Sequence, residues 1–154
     1  MSIRSSVHRW KRATSISDMY LIDTDVLSLL RRPDRAPAIT RWMAAQSDTA
    51  LFLSAVTLGE VTRGIELQRP RDPGFAADLD AWLAVISTRY ADRVLPFGAA
   101  EAALWGRLCA SVGHVSIDLM IAATARSRGL TVVTRNLRHY AGTDVPTLDP
   151  GSGG

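Results

Sequence analysis

The chain has 154 residues, 47% of them hydrophobic, which suffices for one domain around a single substantial core. Its formal net charge of +3 resides entirely in residues 1–18, so the total charge does not by itself indicate nucleic-acid binding by the rest of the chain. Cys109 is the only cysteine, which excludes an internal disulfide and a cysteine-rich zinc site. No apolar run approaches the roughly 18 residues of a membrane-spanning helix, and no signal-type segment follows the basic N-terminus, so we expect a cytoplasmic protein.

The two ends of the chain have compositions unlike the middle. Residues 1–18 are rich in serine, threonine and arginine, and we expect them to form a flexible basic extension. Residues 151–154 are Gly-Ser-Gly-Gly, which is typical of a flexible tail. Residues 19–150 are therefore predicted to form the single folded domain.

Short apolar runs alternate with longer amphipathic segments throughout this domain. Such alternation predicts an α/β fold in which helices cover both faces of a mainly parallel sheet of about five strands. The predicted strands are 19–23, 50–54, 93–96, 130–134 and 145–148. The predicted helices are 25–31, 36–46, 57–68, 75–90, 98–112 and 117–128.

The first strand ends in two acidic residues. Asp23 and Asp25 come directly after the apolar run that begins at Met19, and a second apolar run starts at Val26. Open α/β sheets build their ligand sites at the carboxyl ends of strands. Two carboxylates at such an end indicate a metal site.

The second strand leads into Thr57-x-x-Glu60, which has two interpretations. The pattern is that of a capping box, in which the threonine hydroxyl and the glutamate carboxylate satisfy amides of the first helical turn. Alternatively, Glu60 points into the same cleft as Asp23. The capping box is the stronger interpretation from this segment alone.

Asp118 begins the last predicted helix. It would complement the helix dipole there, but it also shares one helical face with Ile121, Ala122 and Ala125. An acid on an otherwise apolar face is costly to bury unless a charged partner or a cation meets it. Asp118 is therefore predicted to join Asp23 in the site.

The fourth strand ends in Thr134, Arg135 and Asn136. Thr134 or Asn136 would serve either as the cap of a short following helix or as a member of the site. Oxygen-rich clusters of carboxylates and amides suit hard divalent cations such as Mg²⁺ or Mn²⁺.

Other catalytic patterns are missing from the sequence. The three histidines lack the spacing of a zinc helix, and no Gly-x-Ser-x-Gly segment supports a Ser-His-Asp triad. Neither a phosphate-binding Gly-x₄-Gly-Lys loop nor a Gly-x-Gly-x-x-Gly fingerprint occurs.

Taken together, these segments resemble the PIN-domain ribonucleases, and within them the VapC-type toxins of bacterial toxin–antitoxin modules. The resemblance extends over nearly the whole domain. Four segments carry it: Leu-Ile-Asp23-Thr-Asp25-Val-Leu, Val-Thr-Leu-Gly-Glu60-Val-Thr-Arg-Gly, Asp118-Leu-Met-Ile-Ala-Ala-Thr-Ala and Leu-Thr-Val-Val-Thr134-Arg135-Asn136.

The resemblance implies a fold, a cofactor and a reaction. The fold would be a three-layer α/β/α sandwich whose acidic cleft binds one or two Mg²⁺ or Mn²⁺ ions. A cation there would activate water for endonucleolytic cleavage of RNA, leaving a 5′-phosphate and a 3′-hydroxyl. The implied catalytic residues are Asp23, Glu60, Asp118 and Asn136; the implied metal ligands are Asp23 and Asp118, with Glu60 and Asp25 as further candidates, supported by Thr24 and Thr134.

The resemblance also implies partners. The substrate would be a structured RNA, tRNA or ribosomal RNA, and a cognate antitoxin would fill a groove and block the cleft of a homodimeric toxin. Arginines beyond the first two junctions are candidates to bind the RNA phosphates, although solvated helix ends explain them equally well. These are Arg31, Arg32, Arg35 and Arg63.

Three residues depart from the family pattern. Asp25 stands where many members have asparagine, Asn136 where many have aspartate, and His139 where an aspartate is frequent. Asp25 would offset the negative charge that Asn136 does not supply.

Two other functions fit part of the sequence. A catalytically silent PIN-like module that binds RNA or protein is one, because a cleft short of ligands binds metal poorly. A haloacid-dehalogenase-like phosphatase is the other, since Asp23-Thr24-Asp25-Val26 matches its nucleophile motif. That phosphatase needs a downstream lysine, whereas the sole lysine, Lys11, lies upstream.

Overall fold

The structure is a computed structural model that describes residues 18–151. The strands are β1 (Tyr20–Ile22), β2 (Leu51–Ser54), β3 (Val94–Leu95), β4 (Thr131–Val133) and β5 (Thr147–Leu148). The helices are α1 (Thr24–Leu29), α2 (Pro37–Ala45), α3 (Ala55–Gln68), α4 (Pro73–Arg89), α5 (Ala99–Val112) and α6 (Ile117–Arg128). Short 3₁₀ turns lie at Pro33–Arg35, Asp48–Ala50 and Leu137–Tyr140.

The five strands form one parallel sheet in the order β3-β2-β1-β4-β5. Tyr20 is in register with Leu51 on one side and with Thr131 on the other. The chain therefore adds β2 and β3 on one side of β1, and then crosses to the other side of β1 to form β4 and β5. Such a reversal opens a crevice at the carboxyl ends of the two central strands.

Helices cover both faces of the sheet because the strand residues alternate between two core clusters. Leu21 and Val132 pack with Ile121 of α6, whereas their neighbours Ile22 and Val133 pack on the opposite face. Side chains of successive strand residues point to opposite faces of the sheet. A strand made only of apolar residues therefore contributes to an apolar layer on each face. The predicted α/β/α arrangement is confirmed.

Capping residues set where the helices begin. Ser54 accepts a hydrogen bond from Val56 N at 3.0 Å, so α3 starts at Ala55 rather than at the predicted position 57. Asp72 accepts from Phe75 N at 3.0 Å, so α4 likewise starts two residues earlier than predicted. All five predicted strands and six predicted helices are otherwise present, with ends shifted by a few residues.

The region outside the domain is only partly described. Residues 1–17, the bulk of the predicted extension, and residues 152–154 of the predicted tail lie outside the described residues. Within residues 18–151, no helix has the length and hydropathy needed to cross a bilayer.

Candidate active site

Asp23 lies at the carboxyl end of β1, on the central crevice. Its amide donates to Val133 O at 2.9 Å, which ties the residue to the end of β4. The side chain is almost fully buried, with 3% of its surface exposed. The sheet thus places a carboxylate where β1 and β4 end side by side.

Two donors hold the Asp23 carboxylate. Thr24 N donates to Oδ1 and Thr134 Oγ1 donates to Oδ2, both at 2.8 Å. Burial, followed by repulsion from Asp25, nevertheless raises the pKa of Asp23 to about 6 from an ordinary value of 3.8. The two hydrogen bonds only partly offset the cost of ionising this group in its surroundings.

Asp25 has one satisfied oxygen and one that is not. Oδ2 accepts from Arg135 N at 3.2 Å and from Asn136 Nδ2 at 3.0 Å. Oδ1 is buried and accepts no hydrogen bond. Burial raises the pKa of Asp25 as well. The Asn136 side chain therefore bonds to Asp25 and does not cap the following turn.

The Thr134 side chain also bonds to a candidate site residue. Its hydroxyl donates to Asp23 and accepts from Asn136 N at 3.0 Å. This arrangement favours the site interpretation over the helix-cap interpretation for the end of β4. The three residues after β4 therefore link the two carboxylates: Thr134 bonds to Asp23, whereas Arg135 and Asn136 bond to Asp25.

The capping-box prediction for Thr57 and Glu60 is wrong. Ser54 caps α3 instead, so Thr57 is a fully buried residue inside the helix. The Thr24 hydroxyl donates to Glu60 Oε1 at 2.6 Å and lies 3.2 Å from the Thr57 hydroxyl. Glu60 therefore contacts α1 beside Asp23, which favours the alternative interpretation.

Asp118 reaches the cleft from the first turn of α6. The helix is capped by Ser116, which accepts from Leu119 N at 3.2 Å, so the cap does not use the Asp118 carboxylate. Asp118 Oδ2 lies 2.7 Å from His139 Nδ1. His139, which departs from the family pattern, thus supplies a donor to one of the predicted metal ligands.

The sequence does not predict that Thr57 and Tyr140 lie near the candidate site, nor that His139 contacts Asp118. Tyr140 is 3% exposed, and its buried hydroxyl has no hydrogen-bond partner. It ends the 3₁₀ turn that begins just after Asn136. Its place one residue after His139 is the only signal in the sequence that connects it with the site.

The four predicted RNA-binding arginines occupy different surroundings. Arg32 and Arg63 are exposed. The Arg31 guanidinium lies 5.1 Å from the centre of the Phe75 ring, in a groove of about 290 Å³ that Thr24 and Glu60 also line. Arg35 lines a separate cavity of about 340 Å³, which Arg135 and Asp149 also line.

The acidic cluster suits a divalent cation by its chemistry. Carboxylate oxygens are the ligands that hard cations prefer, and the buried Oδ1 of Asp25 accepts no hydrogen bond. Among residues 18–151, no three His, Cys, Asp or Glu side chains are already arranged as a metal site. Glu60 is held by Thr24 and Asp118 contacts His139 in this conformation. The carboxylates therefore suit a cation by their chemistry. Different side-chain conformations of Glu60 and Asp118 would complete the set of ligands.

Comparisons with known proteins agree with this geometry. The family model described as the PIN domain matches residues 20–143. Toxin FitB of Neisseria gonorrhoeae is 28% identical over 86% of this chain and 98% of its own length. The VapC ribonuclease Y4jK of Sinorhizobium fredii is 28% identical over 86% of this chain and 97% of its own.

Solved structures share the fold. A structure of FitAB bound to an IR36 DNA fragment aligns with a TM-score of 0.78 at 28% identity, covering 86% of this chain and 95% of the other. PIN-domain ribonucleases generally use divalent metal ions. The match over residues 20–143 leads to one conclusion: this chain belongs to the PIN-domain family, among the relatives of the VapC ribonuclease toxins.

Proposed function

We propose that the protein is a Mg²⁺- or Mn²⁺-dependent endoribonuclease and the toxin of a type II toxin–antitoxin system. The observation that carries this proposal is the burial of carboxylates close together in the cleft. Asp23 is buried beside Asp25 with a raised pKa, and Asp25 keeps a buried oxygen without a partner. A cation supplies what both carboxylates lack.

The residues divide into those that hold a cation and those that orient its ligands. Asp23 and Asp118 would bind it, and Asp25 and Glu60 are the further candidates. A bound divalent cation lowers the pKa of a coordinated water and stabilises charge on the phosphate. Thr24 and Thr134 orient Asp23, and Asn136 orients Asp25.

The substrate we propose is a structured RNA, such as tRNA or ribosomal RNA, in the cytoplasm. Arg31 lies in the groove beside Glu60, which would place a phosphate that it binds next to the acidic cluster. Arg32, Arg35 and Arg63 would bind phosphates farther from the cleavage point. Phosphate contacts position an RNA without reading its sequence, so these arginines support a substrate class and no particular site.

The partner we propose is a cognate antitoxin bound to a toxin homodimer. FitAB, whose structure aligns with this chain, is a complex bound to DNA. The groove that Arg31 and Phe75 line opens beside Glu60. A basic antitoxin side chain lying along this groove would therefore reach the acidic cluster and neutralise it.

Incubation of the antitoxin-free protein with total RNA tests the proposal. We expect cleavage in Mg²⁺ or Mn²⁺, no cleavage in EDTA, and a loss of at least about a hundredfold in Asp23→Asn and Asp118→Asn, because each removes a charged ligand. Cleavage that persists in either variant would refute the assignment. Binding of RNA without cleavage by the wild-type protein would favour the catalytically silent module.

A further inference from the structure

The hydroxyl of Tyr140 is a buried donor with no use in the chemistry described so far. The residue is 3% exposed, and its oxygen makes no hydrogen bond. An unpaired buried hydroxyl costs free energy, whereas phenylalanine fills nearly the same volume at no such cost. The hydroxyl is therefore a buried donor that a nearby acceptor would stabilise.

The ring is fixed by its surroundings. It packs in the core cluster with Leu21, Ile121 and Val132, beneath the ends of β1 and β4. Its backbone carbonyl accepts from both the amide and the hydroxyl of Thr143, at 3.2 Å and 2.6 Å. The hydroxyl thus has little freedom to reach any group other than those already near it.

The groups near it are the acids of the cleft, because Leu21 and Ile121, against which the ring packs, lie two residues from Asp23 and three residues from Asp118. Burial, followed by the charge of Asp23 and then that of Asp118, raises the pKa of Tyr140, so the phenol keeps its proton and can donate it to a hydrogen bond. Among these acids, Asp23 raises the pKa of Tyr140 most, so its carboxylate is the acceptor within reach of the hydroxyl.

Asp23 has room for a third donor. Its two oxygens each accept one hydrogen bond, from Thr24 N and from the Thr134 hydroxyl. An ionised carboxylate offers about four acceptor positions, so one cation and one further donor fill it. Two of these positions remain after the bonds from Thr24 and Thr134.

We propose that Tyr140 is a positioning residue for Asp23: its hydroxyl donates a hydrogen bond to the Asp23 carboxylate when a divalent cation is bound, and so fixes the orientation in which Asp23 binds the ion. The inference rests on the proposed function, because it takes Asp23 as a metal ligand. Groups that orient metal ligands by hydrogen bonds strengthen metal binding by about 10-fold to 100-fold. Tyr140 itself touches neither substrate nor metal.

Tyr140→Phe removes only the hydroxyl and tests the inference by Mn²⁺ titration calorimetry of the full chain. We expect the Mn²⁺ dissociation constant to rise about tenfold. The melting temperature without metal is expected to stay the same or to rise, because the unpaired donor is gone. RNA cleavage by the variant should return when the Mn²⁺ concentration is raised, because more Mn²⁺ fills a site whose affinity is lowered.

Tyr90→Phe is the matched control. Tyr90 is also 3% exposed, but it belongs to the core cluster on the other face, where Arg93 lies 4.6 Å from its ring centre. We expect this variant to bind Mn²⁺ as the wild-type protein does. An equal loss of affinity in both variants would overturn the inference, because it would show a general effect of core hydroxyls.

Asp23→Asn separates the inference from the proposed function. If Asp23→Asn abolishes Mn²⁺ binding while Tyr140→Phe binds within twofold of the wild-type protein, the inference fails and the metal site stands. If the wild-type protein binds no Mn²⁺, both fail. A lower melting temperature with unchanged Mn²⁺ affinity would show that Tyr140 only packs the core, and would also overturn the inference.

Discussion

The two oxygens of the Asp25 carboxylate differ in their hydrogen bonding. Oδ2 accepts two hydrogen bonds, from Arg135 N and the Asn136 amide, while the buried Oδ1 accepts none. Asparagine at this position keeps one acceptor for the first two donors but loses the charge. Asp25→Asn should therefore weaken Mn²⁺ binding by about tenfold while leaving the fold intact, as calorimetry of the two proteins would show.

The hypothesis that Asp25 offsets the missing charge at Asn136 depends on this result. An unchanged Mn²⁺ affinity in Asp25→Asn would contradict it. Asp34→Asn is a suitable control, since Asp34 is exposed and lies in the Pro33–Arg35 turn, away from the cluster.

The raised pKa of Asp23 makes the stability of the metal-free protein depend on pH. The folded protein keeps the Asp23 proton up to a pH of about 6, whereas the unfolded chain releases it near the ordinary value of 3.8. Between these values the folded state binds more protons, so the free energy of unfolding falls as pH rises through this range. The loss should reach about 3 kcal/mol above pH 7, measured by denaturant unfolding in EDTA.

Asp23→Asn provides the control for this pH effect. Asparagine does not titrate, so the variant should lose most of the decline between pH 4 and pH 7. Saturating Mn²⁺ should also flatten the wild-type curve, because the cation favours the ionised carboxylate. A decline of equal size in Asp23→Asn would assign the effect to other groups.

At the scale of elements, the residues at the ends of the strands were the part of the candidate site that the sequence could predict. Asp23 and Thr134 follow short buried strands, and parallel strands end at one edge, so their meeting was predictable from pattern alone. The start of α3 was not, because Thr57-x-x-Glu60 satisfies the local rules of a capping box. Only the position of Ser54 at the strand end, known from the fold, shows which residue caps the helix.

Contacts across the fold explain the remaining omissions. Tyr140 is 117 residues from Asp23 in the chain, and no local periodicity relates the two. His139 contacts Asp118 because the 3₁₀ turn after β4 packs against α6. Such contacts depend on tertiary packing, which a single sequence does not specify residue by residue.

The end of α6 gives a test of local backbone requirements. Gly129 follows the helix with φ of 67°, and its amide is directed to Ala125 O and Arg126 O. Gly129→Ala should destabilise the protein by about 1 kcal/mol, because a side chain disfavours this left-handed conformation. Thermal or denaturant unfolding measures the change.

Gly106 offers the matched control for this substitution. It lies inside α5, and a Cβ built there would meet nothing within 4 Å. Gly106→Ala should stabilise the protein by about 0.5–1 kcal/mol, since alanine loses less backbone freedom in a helix. Equal effects of the two substitutions would show that the conformation of Gly129 is not the cause.

At the scale of the whole molecule, the site joins parts of the chain that are distant in sequence. Asp23, Glu60 and Asp118 lie 37 and 58 residues apart in the chain, yet Glu60 accepts a hydrogen bond from Thr24, next to Asp23, and the charge of Asp118 acts on Asp23. A cation that binds only this assembled site should stabilise the whole fold, because the unfolded chain cannot hold the same ligands together.

Thermal unfolding with and without Mn²⁺ measures this coupling. At about one hundred times the dissociation constant, the expected gain in stability is about 2.7 kcal/mol. Asp118→Asn should lose most of that gain, whereas Asp92→Asn, at an exposed site before β3, should keep it. A gain of equal size in both variants would indicate that Mn²⁺ binds elsewhere.

The most direct test of the acidic cluster is the anomalous scattering of a crystal soaked in Mn²⁺. We expect a manganese peak at the crevice between β1 and β4, with oxygens of Asp23 and Asp118 at about 2 Å from the ion. We expect no such peak in Asp23→Asn. A wild-type crystal without a peak in the crevice, or a peak that persists unchanged in Asp23→Asn, would contradict the proposed metal site.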